Sequence, residues 1–203
     1  MYLIKNIGLC LLISLASCNQ QGADEAAYTT KVLQLRANKN YFLMNDRQSP
    51  LTSEVKKAFP GLAYFQPDWQ YKIPAKVIWN SAKAKPMPHT MGRTYEMFPV
   101  ANLILTINKI NLQLTAFTNN PNSDTLQLLV PFKDKTSGAT TYEGGRYIDV
   151  ILPAGATEAM LDFNMAYHPY CAYNPDYSCM IPPKENFIPI PIEAGEKLGN
   201  QPH

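Results

Sequence analysis

Residues 102–117 read NLILTINKINLQLTAF. Leu103, Leu105 and Ile107 share one side of an extended chain, because successive strand residues point to opposite faces. After Asn108-Lys109 the alternation resumes with Ile110, Leu112 and Leu114. Two alternating runs parted by a short polar pair predict a β-hairpin. Upstream, Tyr71, Ile73, Ala75, Val77 and Trp79 keep the same period of two, with Pro74 in their middle. Proline cannot donate to a ladder, so this strand is expected at an edge or a bulge.

Working outward, further short strands are expected at 62–65, 89–97, 126–132, 146–152, 159–163 and 187–192, with 81–88 as a loop. Turn-forming residues separate them. No internal repeat and no strand–helix alternation supports a parallel α/β fold. The 17 prolines and 10 glycines agree with a turn-rich chain. The reading is mainly β (α+β): an antiparallel barrel-like or sandwich domain with one or two N-terminal helices. The first helix is expected over 24–45, with Tyr28, Val32, Leu35 and Phe42 on one face and Asp24 and Glu25 in its first turn. A second is expected over 52–59, capped by Thr52 or Ser53 and stopped by Pro60-Gly61.

The N-terminus addresses the chain. Lys5 precedes an apolar run over 7–15, too short to span a bilayer, as in a secretory signal peptide. Leu15-Ala16-Ser17-Cys18 resembles the bacterial lipobox, which implies cleavage before Cys18 and acylation of that cysteine. The expected organisation is a signal peptide over 1–17, a linker over 18–23 and one β-rich domain over 24–203. Asn19 is not the inner-membrane aspartate signal, which points to the outer membrane, facing periplasm or cell surface. The formal net charge is +2, with no run of like charges. Nucleic-acid binding therefore has no electrostatic footprint, and membrane attachment is expected through the lipid at Cys18 alone.

The chemistry-bearing residues crowd into 132–191. The runs FKDKTSGATTYEGGRYIDV, LDFNMAYHPYCAYNPDYSC and PPKENFIPIPIEAGEK, with SPLTSEVKKAF and GLAYFQPDWQYKI before them, resemble the bacterial family catalogued as domain of unknown function 1684. The resemblance covers about 24–197. Departures are Glu143 for glycine, His168 for asparagine and Met180 for proline. The family implies no activity and no cofactor.

Several chemistries compete for these residues. Cys171 and Cys179 enclose seven residues turned by Asn174-Pro175-Asp176, and in an oxidising compartment a disulfide is the default. Free thiols, with Cys171 as nucleophile, are a second reading. A metal held by His168, Cys171 and Cys179 with Asp162 or Glu185 is a third. Gly144-Gly145 suits either a turn or a ligand approach, and Arg146 either a bound anion or a pairing with Asp149 or Asp162. Asp149 and Asp162 on neighbouring strands form a candidate acid–base pair. A serine mechanism lacks the G-x-S-x-G elbow and would need His89 or His168. Tyr142, Tyr147, Phe163, Tyr167, Tyr170, Tyr173 and Tyr177 suit a pocket wall or a packed barrel mouth.

Three functions follow as expectations. The first is a ligand-binding envelope lipoprotein using Thr141, Tyr142, Arg146, Asn164, Tyr167, Tyr173, Asn174 and Glu185. The second is a hydrolase or thiol enzyme using Asp149, Asp162 or Cys171. The third is a structural or partner-docking lipoprotein with the cluster fully packed.

Overall fold

The computed structural model describes residues 9–81 and 83–199, with side chains from residue 22 onward. Much of the expected signal peptide, residues 1–8, and the terminal His203 lie outside the described residues, and of Cys18 only the backbone is described.

Two helices open the chain, α1 (Leu9–Asn45) and α2 (Ser53–Ala58). Helix α1 runs straight through 18–23, expected to be a linker, so Asp24 and Glu25 sit mid-helix instead of in the first turn. The segment, CNQQGA, holds no proline, and its one glycine is tolerated within a long helix, so nothing breaks it. Its buried side is Val32, Arg36 and Leu43, while Leu35 is 38% exposed. No helix among the described residues is long and apolar enough to cross a membrane. Thr52 caps α2 by accepting the Val55 amide at 3.3 Å, as its sequence suggested.

The strands are β1 (Ala63–Tyr64), β2 (Lys72–Trp79), β3 (Lys85–Pro88), β4 (Thr94–Ile107), β5 (Ile110–Thr118), β6 (Thr125–Asp134), β7 (Arg146–Pro153), β8 (Glu158–Asp162), β9 (Phe187–Ile188) and β10 (Glu196–Lys197). The main sheet runs β7-β6-β5-β4-β2-β8, antiparallel throughout and curled into a nearly closed barrel. Strands β7 and β8 are consecutive in the chain yet stand at its two ends. Strand β3 adds to β4, β9 adds parallel to β6, and β1 pairs with β10.

The β4–β5 hairpin turns at Asn108 (φ 49°) and Lys109 (φ 66°), the left-handed pair of a tight hairpin. Pro74 faces Met160 of β8, whereas β4 pairs only with Lys76–Trp79. The proline therefore falls where β2 has one neighbour. Two strand expectations shift. Residues 85–88 form β3 rather than loop, and β4 starts at Thr94, after a turn over Thr90–Gly92.

The barrel interior is filled by alternate residues of each strand: Leu103 and Leu105, Leu114, Leu128 and Val130, Ile148 and Val150, Ala75 and Val77, Leu161. A second cluster lies on the outer wall, built from Met87, Phe117, Tyr147 and Met180 with Leu129 and Met97 against them. This outer apolar floor is where the cleft forms.

Candidate functional site

On β7, Tyr147, Asp149 and Ile151 point outward, and Ile148 and Val150 inward. Helix α1 passes over the outward side but does not seal it. Between them lies a cleft of about 870 Å³. Its floor is Leu129, Tyr147 and Met180, its helical wall Leu35, Lys39 and Phe42, and its third wall Tyr167, Tyr170 and Tyr177. The helical strip repeats at i, i+4 and i+7, one face of α1. The volume and the mix of aromatic lining with few polar groups are those of small-molecule sites.

The rings stand edge to face. Tyr147 and Tyr167 lie 5.9 Å apart at 82°, and Tyr170 and Tyr177 lie 5.4 Å apart at 87°. The Tyr167 hydroxyl donates to Asp149 Oδ2 at 3.0 Å. Asp149 is exposed by surface area, yet the surrounding walls desolvate its carboxylate and raise its pKa; the Tyr167 bond and Lys39 act the other way. Lys39 Nζ sits 4.6 Å from the Tyr167 ring centre and bonds Glu196 Oε1 at 2.5 Å.

Glu196, 1% exposed, anchors the floor behind the cleft. Its Oε2 accepts the His168 amide at 2.8 Å and the Tyr173 hydroxyl. Tyr173 is therefore committed to that carboxylate, and burial, reinforced by Glu196, raises its pKa well above the usual tyrosine value. His168, 4% exposed, accepts the Tyr142 amide on Nε2 at 3.2 Å. Burial lowers its pKa to about 4, opposed by Glu196 and reinforced by Arg146 and Lys39, so it is neutral in the native state.

Arg146 corrects the expected anion fork. It is completely buried and bonds Asp134 Oδ2 at 2.7 Å, with the Ile192 carbonyl at 2.8 Å and the Ala194 carbonyl completing its surroundings. Neither Asp149 nor Asp162 is its partner. Thr141 is equally buried, its hydroxyl 2.9 Å from that of Thr136. Gly145, at φ 94°, serves the turn: a Cβ there would meet the Phe132 carbonyl at 2.5 Å.

The other candidates scatter. Asp162 caps the turn at Phe163–Met165 and accepts the Tyr28 hydroxyl at 2.8 Å. It does not line the cleft with Asp149, so the acid–base pair is not formed. Asn164 reaches the cleft edge, but its amide is spent on the Asp68 carbonyl at 2.7 Å, Tyr28 and Asp162. Asn174 bonds the Pro50 carbonyl at 2.9 Å, and Glu185 is exposed away from the cleft.

Cys171 and Cys179 are free thiols in contact, the Cys171 amide 3.2 Å from Cys179 Sγ. The hydrogen bond from Cys179, helped by Tyr142 and Thr90, lowers the Cys171 pKa to about 7, and the same contact pushes Cys179 up. Among the described residues no three His, Cys, Asp or Glu side chains group to hold a metal, so the His168–Cys171–Cys179 set does not form. At the cleft rim His89 Nδ1 lies 2.9 Å from the Met87 carbonyl, and Ser178 donates to the Thr90 carbonyl at 2.6 Å. The serine is thus turned away from nucleophilic use.

Sequence reasoning missed Leu35 as a cleft residue, and missed Arg36, Lys39, Tyr64 and Glu196 altogether. A lysine or arginine recurring beside an apolar helical face, as Arg36 and Lys39 do beside Val32 and Leu43, was the available signal. Arg36 donates to the Phe65 carbonyl at 2.7 Å and the Asn164 carbonyl at 3.2 Å, with its guanidinium 4.4 Å from the Tyr64 ring centre.

Comparison with known proteins gives a family and a fold. The family model described as "Protein of unknown function (DUF1684)" matches residues 57–197. The solution NMR structure of an uncharacterised protein of Haloarcula marismortui is similar at 34% identity and a TM-score of 0.67, covering 87% of this chain and 97% of that one. No curated protein matches.

Proposed function

The chain belongs to the family of unknown function DUF1684, and we propose that it is a lipid-anchored envelope protein that binds a small, largely apolar ligand without transforming it. The observation that carries this reading is the cleft of about 870 Å³ between α1 and the outer barrel wall. Its polar groups are few, and Arg36, Lys39, Asn164 and Glu196 are tied to partners within the protein, which suits holding a ligand better than reacting with it. The scatter of Asp149, Asp162 and Glu185 further supports binding over hydrolysis.

The lipobox-like run supports anchoring at Cys18. Helix α1 would then link anchor and cleft: Cys18 to Leu35 is about 26 Å of helix at 1.5 Å per residue. Replacing Cys18 with serine is expected to abolish labelling by radioactive palmitate and release the protein from membranes; retained labelling would end this part of the proposal. Nile red, a neutral dye bright in apolar sites, tests the cleft itself in the full chain. Leu129→Trp and Leu35→Trp, which fill the floor and the helical wall, are expected to abolish the dye's fluorescence gain. An unchanged gain in both variants would place binding elsewhere or nowhere.

A second reading rests on the thiols, because Cys171 has a lowered pKa and is half-exposed. In an exported protein the pair would oxidise to a disulfide, stabilising the loop by roughly 2–3 kcal/mol. The denatured intact mass decides. Two hydrogens lost retires thiol chemistry; a full-thiol mass revives it.

A further inference from the structure

Within the binding reading above, the geometry points to the chemical class of the ligand. We infer that the cleft takes an organic cation, an amine or quaternary ammonium carried on an apolar body, with Asp149 as its counter-charge and tyrosine rings around it.

The charge inventory carries the argument. Four charged side chains line the cleft: Arg36, Lys39, Asp149 and Glu196. Lys39 and Glu196 neutralise each other at 2.5 Å. Arg36 spends its guanidinium on two backbone carbonyls and the Tyr64 ring. Asp149 has no ion pair among the described residues, and its one hydrogen-bond donor is the neutral Tyr167 hydroxyl. A carboxylate half-walled by apolar surface attracts a cation more strongly than one in bulk water. Desolvation, which raises the Asp149 pKa, is the cost an arriving cation would relieve.

The walls fit the same guest. Ring faces carry negative potential and attract ammonium groups, most of all when several rings share one site. Tyr147, Tyr167, Tyr170 and Tyr177 all line this cleft. They pair edge to face rather than stacked, so no two ring faces cover each other. The protein already uses one of these faces this way, with Lys39 Nζ seated 4.6 Å from the Tyr167 ring centre. Beyond the rings, Leu129, Met97 and Phe42 offer an apolar continuation for the body of the ligand.

The test compares three short-chain probes whose heads are cationic, neutral and anionic: hexyltrimethylammonium, hexanol and hexanoate. Each is titrated calorimetrically into the full chain in lipid nanodiscs, with empty nanodiscs subtracted. The cation is expected to bind about tenfold more tightly than the alcohol, the scale of a desolvated cation–π contact with a counter-charge. Asp149→Asn and Tyr170→Leu should each collapse the cation-to-alcohol ratio toward one, and Tyr170→Phe should keep it. Equal affinities for cation and alcohol in the wild type would overturn the head-group assignment while leaving the cleft reading intact. Tighter hexanoate would overturn it too, handing the site to Arg36 and Lys39. No binding of any probe, together with no Nile red signal, would remove the cleft reading itself.

Discussion

His168 and Arg146 are the two residues whose chemistry the sequence advertised most and whose structure restrains it most. His168 is neutral in the fold, and its unfolded pKa is near 6.5. The native state therefore binds the proton less readily than the unfolded chain. Its contribution is full above about pH 6.5 and is lost as pH falls toward about 4, a loss of about 3 kcal/mol in all. Urea midpoints taken between these pH values should fall for the wild type and fall less for His168→Gln. Arg146→Ala leaves Asp134 charged and buried without its partner, and should cost about 3–5 kcal/mol by the same measurement. A carboxylate pairing for Arg146 was legible but its partner was not, and the burial of His168 was not legible, because both sites are assembled by groups brought from far along the chain. Glu196 lies 28 residues from His168, and the carbonyls of Ile192 and Ala194 lie 46 and 48 residues from Arg146.

At the scale of elements, the strands with clean alternation were legible and the irregular ones were not. The β4–β5 hairpin could be read because its turn and its period agree. Strand β3 was hidden: two of its four residues are proline, and it pairs only with β4. Strand β10 has two residues and no period to show. The extension of α1 was missed because its early residues read as a signal and its polar stretch as a leash. The hairpin offers its own test. Lys109 pays the left-handed penalty at φ 66°, where glycine pays none. Lys109→Gly should stabilise the protein by about 1 kcal/mol, read as a raised melting temperature. No gain would mean that the turn is not held in this conformation in solution.

Across the whole molecule, the barrel was readable as a class, while of the cleft only the tyrosine wall was readable. The sequence correctly concentrated tyrosines near the site, and four of them line it. Its one sign that α1, far upstream, forms the opposite wall was Arg36 and Lys39 recurring beside the apolar Val32 and Leu43. The family match over residues 57–197 contains the barrel wall and the tyrosines, whereas α1 ends at Asn45, before it begins. If the lipid sits at Cys18, the same helix carries both the anchor and one wall of the cleft. Membrane attachment and ligand capture would then be joined by one rigid element, which suits the pick-up of amphiphiles from a nearby surface.

The most direct measurement is a native mass spectrum of the chain purified gently from its own membranes, wild type and Leu129→Trp side by side. The account predicts a small-molecule mass above the acylated polypeptide in the wild type, and its loss in the variant. A wild type carrying nothing beyond its acyl chains, or an adduct that Leu129→Trp retains, would contradict it.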